Sequence, residues 1–291
     1  MKISPDKIIN SPIEKKIFNK HLVYIKRDDL LSSEFSGNKA RKFYYFLKND
    51  FPNVKNIVSY GSSQSNAMYS LSVLSKLKGW KFDYYVDHLA SYLEVHPHGN
   101  FKYALENGMQ IHVGEEVPST VDDTVFIEEG GRQEEAEFGL KMLADEILLW
   151  KEEHGIDELN IFLPAGTGTT ALYLQKNIVD DVYTVPCVGD ATYLKKQFFM
   201  LEDNEKFHPK ILTSSKKRHF GKLYRESYNI WLKLREEMGI EFDMLYDPHG
   251  WLTLLENPEI FRKPMLYIHQ GGLIGNESML ARYRRKYSEN I

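Results

Sequence analysis

One lysine in the chain stands in a setting that could make it reactive. The stretch FSGNKARK (35–42) places Lys39 after Ser36, Gly37 and Asn38 and ahead of Arg41 and Lys42. An amine attacks a carbonyl only as the free base, and burial or nearby positive charge lowers its pKa. Arg41, Lys42 and the positive end of a helix begun at residue 38 would all push that way. The chemistry this suits is condensation with an aldehyde. An aldehyde carried on a phosphorylated cofactor needs an anion cradle elsewhere in the chain.

Two glycine turns have the parts of such cradles. In SYGSSQSNAMYS a strand delivers Gly61, and Ser62, Ser63, Gln64, Ser65 and Asn66 then open a helix. Backbone N–H groups at a helix start, with hydroxyl and amide side chains, suit a small anion such as a carboxylate. A plain helix cap needs one such residue, not five. In LPAGTGTTALYL, Gly166, Thr167, Gly168, Thr169 and Thr170 enter a second helix with mobile backbone and three hydroxyls. A terminal phosphate fits this turn. Gly166, Gly168 and Ala171 also match the dinucleotide pattern G-x-G-x-x-A, with Asp190 as a ribose partner, and a bare helix entry is the third reading. A nucleotide P-loop is excluded, because no Gly-Lys-Ser/Thr follows.

Three further features carry less chemistry. His269 and Gln270 end a strand before Gly271 and Gly272, and His269 reads as a hydrogen-bonded packing residue. His96 and His98 in HPHG lack a third ligand type, so no metal site is expected. The single cysteine, Cys187, lies in the apolar run VYTVPCV and reads as a small buried hydrophobe.

The elements that must position these residues alternate in type. Strand patterns cover 21–28, 55–61, 81–88, 110–114, 123–130, 159–166, 182–189 and 265–272. Helical patterns cover 38–50, 67–80, 100–108 and 134–155. On the first helix, Ala40, Phe43 and Leu47 share a face. Strand, tight glycine turn and helix in repetition predict an α/β architecture with mostly parallel strands. Ligands bind such sheets at the carboxyl ends of the strands, where these turns lie.

The bulk composition is that of a globular protein. The 291 residues are 42% hydrophobic and 27% charged, enough for a sizeable core. Net charge is −4, from 37 basic and 41 acidic residues, which gives no general pull toward nucleic acid or acidic membranes. The basic runs at 214–222 and 282–287 read as solvated helix faces. The N-terminal stretch MKISPDKIINSPIEKK lacks the apolar core of a signal peptide, and no apolar run approaches membrane-spanning length. A soluble cytoplasmic protein is the expectation. No linker-like segment divides the chain.

The pieces IKRDDL…SGNKARKF, GSSQSN, HGNFKYALENGMQI, EEGGR…EFGLKMLADEI, AGTGTT and IHQGG occur in an order that resembles the D-cysteine desulfhydrase/1-aminocyclopropane-1-carboxylate deaminase family. That family belongs to the tryptophan-synthase-β-like, fold type II pyridoxal-phosphate enzymes, and the resemblance spans roughly residues 20–280. It implies two open, mostly parallel twisted sheets flanked by helices. A small domain at 48–150 would be inserted in a large domain made of 1–47 and 151–291. It implies pyridoxal 5'-phosphate as cofactor, a small amino acid as substrate, and a homodimer.

Residue by residue, Lys39 matches the lysine that forms the Schiff base and moves the substrate proton. Ser65 and Asn66 match the pair contacting the substrate carboxylate and the cofactor ring oxygen, with Ser65 an acid/base candidate and Gln64 beside them. Gly166, Thr167, Gly168, Thr169 and Thr170 match the phosphate loop, in a register ambiguous by one position. Two departures bear on activity. The family's Asp-Pro-x-Tyr stretch is matched to YDPHGWL, which puts Gly250 where a cofactor-facing phenol is expected and Trp251 beside it, in the substrate region. The family's His-Thr-Gly-Gly has become HQGG, so Gln270 would face the pyridine nitrogen with a neutral amide, which does not hold that nitrogen protonated.

The reading is a pyridoxal-phosphate-dependent lyase or deaminase giving a 2-oxo acid and ammonia. Without the phenol, D-cysteine or a related β-substituted amino acid is favoured over aminocyclopropane carboxylate. The alternatives are a noncatalytic pyridoxal-phosphate-binding homologue and an NAD(P)-dependent oxidoreductase using GTGTTA.

Overall fold

Hydrophobic runs bounded by glycine turns become the strands. The computed structural model describes residues 8–118 and 123–287; residues 1–7, the start of the stretch read for a leader, lie outside it, as do 119–122 and 288–291. The chain opens with a hairpin of β1 (Ile13–Phe18) and β2 (His21–Arg27). Asn19 and Lys20 turn it, both at positive φ (48° and 69°). Paired positive φ values give the primed turn whose twist matches that of the strands it joins. Helix α1 (Gly37–Lys48) follows, and then β3 (Asn56–Tyr60), α2 (Asn66–Lys78), β4 (Lys81–Val86), α3 (Ser91–Val95), α4 (Gly99–Glu106), β5 (Met109–Val113) and β6 (Thr124–Ile127). The chain continues through α5 (Ala136–Glu153), β7 (Asn160–Ala165), α6 (Thr169–Lys176), β8 (Asp181–Pro186), α7 (Ala191–Phe199) and β9 (Lys210–Ile211). It ends with α8 (Arg225–Met238), α9 (Asp247–Glu256), β10 (Met265–His269) and α10 (Gly275–Tyr287).

Two sheets result. One has the order β1-β2-β10-β7-β8-β9 and draws on both ends of the chain; the other is β5-β4-β3-β6. Apart from the β1–β2 hairpin, the strand pairings of the described residues are parallel. The expected α/β fold of two mostly parallel sheets flanked by helices is the fold observed. β7 and β10 are buried along their whole length, as strands covered on both faces must be.

The carboxyl ends of β7 and β10 separate to make room for a site. Their pairing runs from Met265–Asn160 to Tyr267–Phe162 and stops two residues before Pro164. Proline has no N–H to give to a ladder. The Pro164 carbonyl instead accepts a hydrogen bond from Gln270 Nε2 at 2.6 Å.

Helix α1 buries Ala40, Phe43 and Leu47 as expected, and also Arg41 and Lys42. Arg41, 1% exposed, pairs with Asp28 (2.8 Å) and Glu146 (2.6 Å), while Lys26 reaches Glu146. The guanidinium is therefore committed to the core between β2, α1 and α5, not to Lys39. The run 214–222 is irregular and not a helix face, and Arg218 within it is nearly buried between Glu226 and Glu256. No helix of the described residues is long and apolar enough to cross a membrane.

Candidate active site

A cavity of about 480 Å³ opens between the two sheets, at the carboxyl ends of β7 and β10. Lys39, Gln64, Ser65, Asn66, Gln270 and the whole turn from Gly166 to Thr170 line it. Of the residues expected at the site, Trp251 alone is elsewhere. It is fully buried in the core, stacked on Tyr267 at 4.5 Å and edge-on to Phe18 at 5.0 Å. The cause is its helix face. A Cβ on neighbouring Gly250 would stand 3.1 Å from Tyr267 Oη and 3.2 Å from Phe162 Cε1, so this side of α9 packs against the sheet. Neither residue 250 nor residue 251 faces the cavity.

A phenol does reach the cavity, from Tyr246 and not from position 250. Tyr246 lines the cavity, and its hydroxyl lies 3.4 Å from where a Cβ on Gly166 would be. It stands three residues after Asp243, the spacing of the expected Asp-Pro-x-Tyr with Met244 in the place of proline. Asp243 Oδ1 accepts the N–H groups of Leu245 and Tyr246, both at 2.7 Å, and this turn aims the phenol. Burial first, then Asp243 and Cys187, raise the Tyr246 pKa, so the phenol keeps its proton.

Lys39 is presented by the first turn of α1. Gly37 makes this possible: it has φ +66°, and a Cβ there would fall 1.9 Å from the Gln270 carbonyl oxygen, so only glycine lets α1 start against β10. Lys39 Nζ and Lys42 Nζ both donate to the Gly130 carbonyl at 2.9 Å. Burial is the main cause that lowers the Lys39 pKa, from 10.5 to about 8, while Lys42 and Glu129 oppose it. The expected depression is present, but its cause is desolvation and not Arg41. At pH 7 about one such amine in ten is neutral, against about one in three thousand at the ordinary value.

The carboxylate-sized cradle is built by α2 and α4. Ser65 caps α2, its Oγ accepting from Ala67 N at 3.1 Å, so the cap and the wall of the cavity are the same residue. Asn100, 1% exposed, donates to Asn66 Oδ1 at 2.6 Å and to the Gln64 carbonyl at 3.0 Å. That fixes the Asn66 amide with its NH2 free for the cavity. Gln64 Oε1 accepts from Ser278 Oγ at 3.0 Å. Asn100 was not singled out from the sequence; an asparagine next to a glycine helix start carries no signal of its own.

The second cradle is the entry to α6. Gly168 caps that helix at φ +75°, where a Cβ would strike Phe198 and Leu194 at 2.5 and 2.6 Å. The first N–H groups of a helix have no partner within it. Thr167 Oγ1 and Thr169 Oγ1 share a hydrogen bond at 3.1 Å, and Asn38 Nδ2 donates to Thr170 Oγ1 at 3.3 Å. A Cβ on Gly130 would stand 3.6 Å from Thr167 Oγ1 and 3.8 Å from Lys39 Nζ, so cradle and amine share one small space.

Gln270 is held at both ends of its amide. Oε1 accepts from Asn38 Nδ2 at 3.0 Å, and Nε2 donates to the Pro164 carbonyl. One lone pair and one N–H remain. His269 is fully buried, with Nε2 against the Glu241 carbonyl at 2.7 Å, a packing residue as expected. Asp190 caps α7 through Tyr193 N and does not line the cavity, which removes the ribose partner of the dinucleotide reading. Asp243 and Asp247, both buried in the cavity wall, have pKa values raised by burial, and Asp243 adds its charge to that of Asp247.

No family model matches the sequence, and no characterised protein matches it by sequence. Solved structures match its fold. An ACC deaminase homologue superposes with a TM-score of 0.77 at 20% identity, covering 96% of this chain and 94% of that one. A hydrogen sulfide-producing enzyme from Fusobacterium nucleatum gives 0.63 at 13% identity, over 94% and 99% of the two chains. A threonine deaminase from T.th. gives 0.62 at 11%, over 90% and 92%. At these identities the likeness is one of fold, and it is the fold type II arrangement that the sequence resemblance implied.

Proposed function

We propose that the chain is a pyridoxal-phosphate-dependent lyase of small amino acids, giving a 2-oxo acid and ammonia. Its substrate is a β-substituted amino acid such as D-cysteine, or aminocyclopropane carboxylate. The observation that carries this reading is Lys39: a buried amine with its pKa lowered to about 8, facing a hydroxyl-rich helix entry across one cavity.

The residues present fit that cofactor. The α6 entry offers backbone donors and three threonine hydroxyls to a phosphate. The cavity volume is within the usual range for small-molecule sites, about 300–1,000 Å³. Asp243 Oδ2 is buried in the wall without a hydrogen-bond partner among the described residues, a polar atom that a bound ligand could satisfy.

Bound pyridoxal phosphate supplies an aldehyde for amines and a ring that draws electrons from the substrate Cα. The chain does the rest. Lys39 Nζ, neutral often enough at pH 7, is placed to accept the Cα proton of a β-substituted amino acid as its β-group leaves; aminocyclopropane carboxylate has no hydrogen on Cα, and from it the same amine would take a ring-methylene proton. Asn66 Nδ2, oriented by Asn100, and the α2 start hold the substrate carboxylate. Tyr246 Oη, protonated, gives a proton to the departing group or opening ring; with that phenol in place, aminocyclopropane carboxylate remains a candidate substrate. Gln270, held by Asn38 and the Pro164 carbonyl, would offer the ring only a neutral amide, which would not keep a ring nitrogen protonated and would suit elimination of a good leaving group over transamination.

Purified protein supplied with pyridoxal phosphate should show a visible absorbance band that Lys39→Ala abolishes, and D- or L-amino acids with β leaving groups should yield 2-oxo acid and ammonia. A wild-type band indistinguishable from that of Lys39→Ala would end the cofactor assignment. A true band with no product from any amino acid would favour the noncatalytic homologue.

A further inference from the structure

The last helix places an arginine in the cavity that the proposed reaction does not use. Gly275, Ser278, Met279 and Arg282 line the cavity and recur at i, i+3, i+4 and i+7, so one face of α10 forms a wall. That face begins at the substrate-carboxylate cradle. A Cβ on Gly275 would stand 3.6 Å from Asn66 Oδ1, and Ser278 Oγ bonds Gln64 Oε1 at 3.0 Å. Arg282 lies one turn beyond Ser278, about 6 Å along the axis.

Its guanidinium is incompletely used. Nη2 donates to the Gly221 carbonyl at 2.8 Å, and Nη1 meets the weak acceptor Met279 Sδ at 3.2 Å. No carboxylate of the described residues pairs with it, although Arg284 and Arg285 on the same helix face water. A clamp on the Gly221 carbonyl needs one donor, and arginine brings five in a fork that matches oxyanions. The Gly221 contact fixes the fork in place, as preorganised recognition requires.

We propose that Arg282 reads a second oxyanion on the substrate, so that the preferred substrates are amino acids whose side chain carries a carboxylate, phosphate or sulfonate. The inference rests on the amino-acid lyase reading for its α-carboxylate cradle. The α-carboxylate binds at Gln64, Ser65 and Asn66, and the side-chain anion extends one helical turn outward to Arg282. A neutral substituent occupies the same path without that contact.

The cofactor-loaded protein and its Arg282→Met variant test this in two ways. O-phosphoserine and 3-chloroalanine, each as both enantiomers, are compared as substrates, and D- and L-aspartate are compared with D- and L-alanine by titration calorimetry. The expected result is tighter binding of aspartate than alanine, and an Arg282→Met change of about 10- to 100-fold confined to the anionic ligands. Arg282→Lys should restore part of the loss, since it keeps charge without the fork. If the variant weakens neutral and anionic ligands alike, Arg282 only clamps the Gly221 segment and the inference falls. It falls also if chloroalanine is turned over while phosphoserine and aspartate show no preference, and the lyase reading then stands. Aspartate binding that depends on Arg282, with no 2-oxo acid from any amino acid, would sink the lyase reading and keep the anion site.

Discussion

A phenol's reach is decided by the turn beneath it, and Asp243 makes that turn with its carboxylate on the backbone of Leu245 and Tyr246. Two Asp-x-x-x stretches abut here, 243–246 and 247–250, and the proline after Asp247 draws the sequence reading to the second. Only packing separates them: Gly250 lies against Phe162 and Tyr267, and Tyr246 faces the open side. Tyr246→Phe keeps the turn, because Asp243 bonds main chain, and should leave thermal stability near wild type while lowering kcat by about 100-fold. An unchanged kcat would remove the phenol from proton transfer. Lys39 was legible as a reactive amine, but of the two causes the sequence offers, burial and neighbouring charge, only burial acts. Its helix neighbours are drawn off by Asp28, Glu146 and Gly130, and burial, which no local pattern reports, does the lowering. Arg282 was hidden in a basic run whose other arginines are solvated.

The elements were legible where hydrophobic period and glycine stops agree. α1, α2, α4 and α5 and the strands β2–β8 and β10 lie where the pattern put them. β1 was missed because its sequence, IEKKIF, has two lysines on a half-exposed edge, and edge strands need not be apolar on both faces. The irregular 214–222 segment shows the reverse error, since a charge run says nothing about backbone period. The α6 entry tests how far an element end serves a ligand. Gly168→Ala forces a β-carbon into Phe198 and Leu194 at a left-handed φ. Strain of that kind should cost about 1–3 kcal/mol of stability in a urea titration. It should also weaken retention of pyridoxal phosphate on dialysis more than Asp190→Ala, which touches only the α7 cap. Equal retention would show that the turn does not hold the phosphate.

At the scale of the molecule, the buried quartet Lys26, Asp28, Arg41 and Glu146 joins β2, α1 and α5 behind the site. Arg41→Met leaves the buried Asp28 carboxylate without its guanidinium, while Glu146 keeps Lys26, and should destabilise the fold by about 3–5 kcal/mol at pH 7. The ion partners hold the pKa values of Asp28 and Glu146 below their ordinary values. Their contribution is therefore full above the unfolded carboxylate pKa and fades as pH falls through the folded values. In Arg41→Met, burial without the guanidinium raises those pKa values, so the deficit relative to wild type should narrow between pH 6 and pH 4. A deficit constant with pH, measured by urea unfolding, would mean the loss is one of packing alone.

Helix α1 thus holds its two kinds of cation on different partners: Arg41 belongs to the core, and Lys39 donates to the Gly130 carbonyl at the cavity. Positions two apart on a helix do not face each other, so either can change without the other. On the proposed function, a single codon change at Lys39 would spare the folded chain and both anion cradles, leaving a protein with a place for the cofactor's phosphate but no amine to meet its aldehyde. Catalyst and reservoir would then be neighbours in sequence space.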